Sequence, residues 1–278
     1  MKHKKKKSPW FFKIVAFPFK LIGKTIYYTG KGVYLGIKGT IMLVKRKSEQ
    51  KKIEKEKPKS APQYHELKEL KKLEGNKKDF EKIIHSRGKI GIILGGRGTG
   101  KSALGMKIIE NVHAKNGSRV YTMGFDDKRM PDWITSTKDI SNIANDSFIL
   151  IDESGINFSS RNSMNNLNKL LTELLLIARH KNISILFITQ NSANIEINII
   201  RQADYLLLKP HSLLQLDFER KIIKDIYEQA EEHFKELKEQ GTTYVFSSDY
   251  KGLIKNELPS FWSDRLSKSF SNEIIDGK

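Results

Sequence analysis

Apolar positions along the chain follow two rhythms. From Lys89 onward, short continuous apolar runs alternate with stretches in which apolar residues return every three or four positions. Continuous runs are what a strand covered on both faces requires, and the longer spacing is that of a helix with one buried side. The runs are Lys89–Leu94 (KIGIIL), the start of Ser147–Gly155 (SFILIDESG), Ile183–Thr189 (ISILFIT) and Ala203–Lys209 (ADYLLLK). Helices are predicted from Ala103 to about Ala114, over Asn165–His180 with Leu167, Leu170, Leu171, Leu174 and Leu175 inward, and over Asp217–Gln240. Thr242–Ser247 and Leu253–Leu258, joined around Asp249–Gly252, read as a terminal hairpin. Strand alternating with helix predicts an α/β domain with a mostly parallel sheet flanked by helices.

Before Lys89 the pattern differs. Tyr64–Ser86 reads as helical, with Leu67, Leu70, Leu73, Phe80 and Ile83–Ile84 buried and a break at Gly75-Asn76. The charged, proline-containing stretch ahead of it lacks apolar periodicity, so residues 48–63 read as a linker and 64–278 as the globular domain. In residues 1–47 the lysines Lys13, Lys20, Lys24, Lys31, Lys38 and Lys45 recur at spacings of seven, four, seven, seven and seven. On a helix they form one narrow stripe, with Val15, Phe19, Ile22, Ile26, Val33, Ile37 and Val44 opposite and tyrosines on the flanks. Pro18 ends any helix there, so the longest piece is about Phe19–Lys47. The lysines interrupt every apolar run too early for a spanning helix, and no small-residue cleavage site follows for a signal peptide. The stripe predicts a basic amphipathic helix lying in an anionic membrane surface. A helix docked on its own protein, or a lysine stripe tracking phosphates, are the competing readings.

Charge sharpens this division. The chain has 278 residues and a formal net charge of +18. Residues 1–60 hold 18 Lys+Arg against 3 Asp+Glu, and residues 61–278 hold 32 against 29. The body is nearly neutral, which argues against a protein built as a whole to wrap nucleic acid. There is no cysteine, so disulfides, thiolate metal sites and thiol nucleophiles are excluded.

The chemistry sits at the strand ends. Directly after KIGIIL come Gly95, Gly96, Arg97, Gly98, Thr99, Gly100, Lys101 and Ser102, the pattern G-x-x-x-x-G-K-[ST], followed by a helix. Strand before and helix after is the context of a phosphate-binding loop. Glycines let backbone N–H groups curl around phosphate oxygens, and the helix N-terminus adds its positive end. Lys101 is placed to reach the β- and γ-phosphates of ATP, and the Ser102 hydroxyl to ligate Mg²⁺. The strand in Ser147–Gly155 ends in Asp152 and Glu153, read as the Mg²⁺ holder and the base for the attacking water. Gln190, at the tip of ISILFIT, would sit beside the Asp152 strand and sense the γ-phosphate.

A GTPase is the competing assignment, because Asp152-Glu153-Ser154-Gly155 fits D-x-x-G and Asn76-Lys77-Lys78-Asp79 fits N-K-x-D. Here, however, the N-K-x-D precedes the phosphate loop and sits in a polar helix break. The adjacent Asp-Glu pair also favours a hydrolysing ATPase.

The order of these motifs, with a helix ending ARHKN, strand ILFITQ and then IRQADYLLL, resembles the FtsK/HerA superfamily of P-loop ATPases. Within it the chain looks similar to the zonular occludens toxin-like and filamentous-phage assembly ATPases and to viral genome-packaging ATPases. The likeness covers roughly Lys89–Lys209 and is most specific in Asp152-Glu153 combined with Arg179-His180 and Thr189-Gln190. The resemblance implies a RecA-like P-loop NTPase fold and a homo-oligomeric ring, a hexamer, that uses ATP and Mg²⁺ to move double-stranded DNA. It gives Lys101, Ser102, Asp152 and Glu153 the hydrolytic roles and Gln190 the sensor's. Arg179 matches a position that would act as an arginine finger on a neighbour's nucleotide, with Arg201 as a competitor. Lys128-Arg129 or Arg161 would touch DNA in the pore. The apolar appendage here precedes the motor, whereas filamentous-phage-type proteins usually carry a spanning helix after it. The expectation is a motor on the cytoplasmic face of a membrane, or virion-associated, for genome packaging, extrusion or mobile-element transfer. The alternative is a membrane-bound scaffold that uses ATP only to assemble.

Overall fold

The computed structural model describes residues 38, 40–42, 45, 48, 57–125, 130–156, 163–237 and 239–263. The chain divides into two compact units, Met1–Glu56 and Lys57–Lys278. In the first, Lys38, Thr40, Ile41, Met42, Lys45 and Ser48 are helical and exposed. The rest of the amphipathic stretch lies outside the described residues. Among the described residues no helix is long and apolar enough to cross a membrane.

The second unit is built on one nine-stranded sheet. Its strands are β1 (Lys68–Gly75), β2 (Ile90–Leu94), β3 (Val120–Met123), β4 (Ile134–Ser136), β5 (Phe148–Asp152), β6 (Ser184–Ile188), β7 (Tyr205–Leu208), β8 (Thr242–Ser247) and β9 (Tyr250–Lys255). The helices are α1 (Lys77–His85), α2 (Lys101–Asn116), α3 (Ser163–Lys181), α4 (Ile197–Arg201), α5 (Leu213–Asp217) and α6 (Lys221–Leu237). Strand order is β1-β9-β8-β7-β2-β6-β5-β3-β4. From β7 to β4 every neighbouring pair is parallel, and β7-β8-β9-β1 is antiparallel. The predicted α/β class and mostly parallel sheet are observed.

The parallel strands are buried on both faces, as their unbroken apolar runs require. One face packs α2 and α1 through Leu104, Ile108, Phe80 and Ile84, and the other packs α3 and α6 through Leu171, Leu174, Ile223 and Tyr227. Gly105 lets α2 lie close on the sheet, since a Cβ there would come within 2.7 Å of the Leu150 side chain.

One expected element is overturned and two keep their type with shifted boundaries. Residues 68–75 form strand β1, not the first half of a helix. Its pairing with β9 shifts register between Glu69 and Lys71 and again between Lys72 and Glu74. Each bulge adds a residue to the two-residue strand period, so leucines three apart imitate a helix. Leu67 is buried, Leu70 packs against the core and Leu73 is exposed. The break at Gly75-Asn76 is real, with the Asn76 side chain capping α1 by accepting from Lys78 N. The helix expected over Asp217–Gln240 is observed as α6 but starts at Lys221, after a break at 218–220 where Glu219 turns inward to accept Ser192 N (2.9 Å) and Ser192 Oγ. The hairpin's second strand starts at Tyr250, three residues early, across a turn at Ser248-Asp249.

Residues 57–63, read as linker, are fastened to the body. Lys57 Nζ donates to Ile134 O (2.7 Å) and Trp133 Nε1 donates to Ser60 O (2.9 Å). Gln63 N reaches Glu110 Oε1 on α2 at 3.1 Å.

Candidate active site

In a parallel sheet the carboxyl ends of the strands, with helix N-termini beside them, form the natural ligand crevice. Here β2 and β5 are not neighbours: β6 lies between them, paired to both. The end of β2 feeds the phosphate loop, β5 ends at Asp152, and β6 delivers Thr189 and Gln190 between them. They line one cleft of about 640 Å³.

The loop has the shape its glycines permit. Gly98 and Gly100 have φ of +77° and +87°, and a Cβ on either would meet nothing within 4 Å. Both therefore open onto the cleft, and Gly100 caps the N-terminus of α2. Gly96 N donates to Pro210 O (2.9 Å), tying the loop to the segment after β7. Thr99 Oγ1 turns back to Gly96 O at 2.8 Å, and Arg97 lines the cleft from the exposed side.

Lys101 is only 8% exposed. Its Nζ donates to Gly95 O (2.8 Å) and Gly96 O (2.7 Å), which hold the ammonium across the loop. Burial lowers its pKa, while Asp152 and Glu153 act in the opposite direction. Ser102 Oγ donates to Asp152 Oδ2 at 3.0 Å. The other Asp152 oxygen accepts Ser154 N (3.0 Å) and Ser154 Oγ (2.6 Å), which fixes the carboxylate plane.

One hydroxyl and one carboxylate converge here, and among the described residues no cluster of three His, Asp or Glu side chains is placed to hold a metal. That donor set fits Mg²⁺, which keeps several waters and takes ligands from substrate phosphates rather than from an all-protein cage.

Glu153 opens a one-turn 3₁₀ segment, Glu153–Gly155. Thr189 Oγ1 donates to its Oε2 at 2.5 Å and Asn194 Nδ2 to its Oε1 at 2.9 Å. Burial raises its pKa, and these two donors partly offset the rise. A carboxylate poised above its ordinary range is suited to take a proton from water near neutral pH. Gln190 lines the same cleft, and its carbonyl accepts from Gln215 Nε2.

Arg179 is elsewhere. It is in the last turn of α3, exposed, and donates to Gln202 Oε1 at 3.1 Å. Because α3 leads into the start of β6, that position is at the opposite end of the strands from the cleft. Arg201, the last residue of α4, is also exposed and adjoins Gln202. Neither arginine joins Lys101 and Glu153 within one subunit. Lys128-Arg129 and Arg161 lie outside the described residues.

Sequence reading missed three residues of the cleft. Ser154 and Asn194 act through hydrogen bonds on Asp152 and Glu153. Trp262 lines the cleft from the segment after β9. Ser154 adjoins the acids and Asn194 follows Gln190 by four residues, so proximity was the available signal. Trp262 carried none.

The fold is a mixed α/β one, a mostly parallel nine-stranded sheet flanked by helices. Among solved structures, the DNA-packaging ATPase from Sulfolobus turreted icosahedral virus is 18% identical, with a TM-score of 0.44, over 62% of this chain and 99% of that one. The genome-packaging NTPase from Sulfolobus turreted icosahedral virus 2, in complex with ATP-gammaS, is 16% identical at 0.42, over 62% and 98%. The same NTPase in complex with AMPPCP is 15% identical at 0.44, over 62% and 99%. No curated relative matches the chain in sequence. Residues 127–240, which carry Asp152, Glu153, Arg179 and Gln190, match the zonular occludens toxin (Zot) family, and over that stretch the chain is similar to it.

Proposed function

We propose that this protein is an ATPase motor that couples hydrolysis of ATP to movement of DNA from a membrane surface. The observation that carries the reading is the convergence of Lys101, Ser102, Asp152, Glu153 and Gln190 on one cleft at the strand ends. The backbone N–H groups of the loop and Lys101 bind the β- and γ-phosphates, replacing the contacts with Gly95 O and Gly96 O. Ser102 Oγ and Asp152 hold Mg²⁺, which neutralises charge building up on the phosphate oxygens. Glu153, oriented by Thr189 and Asn194, takes a proton from the attacking water. Gln190, on a strand shared with both halves of the site, reports the γ-phosphate to the segment that follows it.

The DNA-moving part of the proposal rests on the motif order and on the Zot-family likeness of residues 127–240. Arg179 and Arg201, exposed and remote from their own cleft, suit an arginine finger given to a neighbouring subunit in a homo-oligomeric, hexameric ring. Such a residue contributes about 10³–10⁵ in rate in related P-loop enzymes. The cationic leader supports attachment to the cytoplasmic face of a membrane or to a virion. Ile41 and Met42, 62% and 55% exposed, are helical, and Lys38 and Lys45 flank them in the sequence. Virus packaging, virion extrusion and mobile-element transfer all fit such a motor.

The test is ATP turnover of the full chain with and without double-stranded DNA. A several-fold rise with DNA, absent in Lys101→Ala, is expected. Turnover in the intact ring that ignores every nucleic acid would favour an ATP-dependent assembly scaffold instead. Liposome flotation that survives deletion of residues 1–47 would remove the membrane part.

A further inference from the structure

The triphosphate end of the cleft is fully provided for, but nothing described so far receives the nucleobase. The cleft lining is polar or glycine except for Ala103, Ile188 and Trp262, and Trp262 is the one aromatic among its described residues. Ala103 stands in the first turn of α2, directly after Lys101 and Ser102. Trp262 lies in a segment 159 positions further along the chain.

That segment is held to the same helix. The Glu110 carboxylate accepts Ser260 N at 3.1 Å and Ser260 Oγ. Glu110 is nine residues beyond Lys101, roughly 13 Å along the helix at 1.5 Å per residue. Phe261 packs edge-on against Trp133, with ring centroids 5.5 Å apart and planes at 81°. Trp262 N donates to Pro259 O at 2.9 Å, closing a turn. Two fixed neighbours and a closed turn thus aim the indole back toward the N-terminus of α2.

We infer that Trp262 supplies the stacking face for the base of the bound nucleotide. The inference rests on reading the cleft as a nucleotide site. With its terminal phosphates at Lys101 and Ser102, a nucleotide runs outward past Ala103, and its base meets the indole. Stacking reads π-surface rather than hydrogen-bond pattern, so the site prefers purine over pyrimidine nucleotides. Aromatic–base stacking of this kind changes affinity by about tenfold or more on truncation to alanine.

The test compares Mg·ATP, Mg·CTP and Mg·tripolyphosphate, which has no base, by calorimetric titration of the full-length protein. Trp262→Ala is expected to weaken ATP about tenfold, to erase most of the ATP-over-CTP preference and to leave tripolyphosphate binding as it was. Trp262→Phe is expected to retain most of the ATP affinity. A parallel loss of ATP and tripolyphosphate, or no loss of ATP, overturns the assignment. A readout that needs no alanine variant is intrinsic fluorescence: ATP should quench the wild type and tripolyphosphate should not, with the quench gone in Trp262→Phe. A quench that persists in Trp262→Phe also overturns it. Failure of the underlying reading looks different, since Lys101→Ala would then bind tripolyphosphate as well as the wild type does.

Discussion

Helix α2 buries a lysine near each end of its first two turns, and the two are held in opposite ways. Lys107, fully buried, has its Nζ 2.9 Å from Glu110 Oε2, 2.8 Å from His65 Nδ1 and 3.3 Å from Gln63 O. Glu110 in turn accepts from Gln63 N and from Ser260. Every partner there is a fixed part of the chain, and the cluster clasps the segments before β1 and after β9 onto one helix. Lys101, six residues earlier, is held by carbonyls of its own loop and faces its acids across the cleft. Its partners are ones a phosphate can replace. Burial of charge is common to both sites, and exchangeability of partners separates the candidate functional site from the structural one.

The largest effect that would sharpen this contrast is on turnover. Glu153→Gln keeps the shape of the group that Thr189 and Asn194 hold but cannot accept a proton. Turnover should fall about 10²–10⁴-fold with ATP affinity nearly unchanged. The same variant should melt no lower than the wild type, because burial opposes ionisation of Glu153. A folded-state pKa raised above the unfolded value means that ionising this group costs stability as pH rises through it. Steady-state kinetics beside thermal melts at pH 7 checks both halves. A destabilised Glu153→Gln would place the carboxylate with the structural sites.

Glu110→Ala should do the reverse. It leaves Lys107 buried without its carboxylate and strips Gln63 N and Ser260 of their acceptor. A loss of about 3–5 kcal/mol is expected on denaturant unfolding, as for other broken buried pairs. At temperatures where the variant is still folded, tripolyphosphate should bind at Lys101 as before.

Asn194→Ala is a smaller perturbation inside the cleft. It removes one of the two donors that favour the ionised form of Glu153. The carboxylate pKa should therefore rise further, moving the acid limb of the turnover–pH profile to higher pH. A drop of about tenfold in turnover is expected at neutral pH, the scale of one hydrogen bond to a charged group. An unmoved acid limb would mean that Asn194 does not orient the base.

These sites differ in how far the sequence discloses them. The phosphate loop and the acids at the end of β5 are contiguous motifs, because backbone geometry at a strand–helix junction demands particular residues in a row. The clasp joins Gln63, His65, Lys107, Glu110 and Ser260, which only the closed fold brings together. In sequence, Lys107 and Glu110 look like a solvated i,i+3 pair on the polar side of a helix. The strands β2, β5, β6 and β7 were legible as apolar runs because two covered faces leave one solution. Edge strand β1 was not, because its bulges set leucines at a helical spacing. The arrest between α5 and α6 was hidden for a third reason: Glu219 reads as one more surface acid until Ser192 takes it as an acceptor.

A third buried lysine gives the finest test of the contrast. Lys209, 1% exposed, stands at the end of β7 directly behind the phosphate loop. Its Nζ donates to Gly241 O (2.8 Å) and Asn256 Oδ1 (3.3 Å), both neutral acceptors. With no acid to compensate, burial pushes its pKa down to about 7. The unfolded chain, with an ordinary lysine, binds more protons than the folded one between about pH 7 and pH 10.5. Stability therefore rises with pH across that window, and the cost of the buried charge is fully present below it. The gain between pH 7 and pH 8 should be about 1 kcal/mol. Lys209→Met keeps the length of the side chain and has no proton to lose. Unfolding free energies measured at both pH values should show the gain in the wild type and not in Lys209→Met. Equal slopes in the two proteins would mean that Gly241 and Asn256 hold this charge as completely as Glu110 holds Lys107.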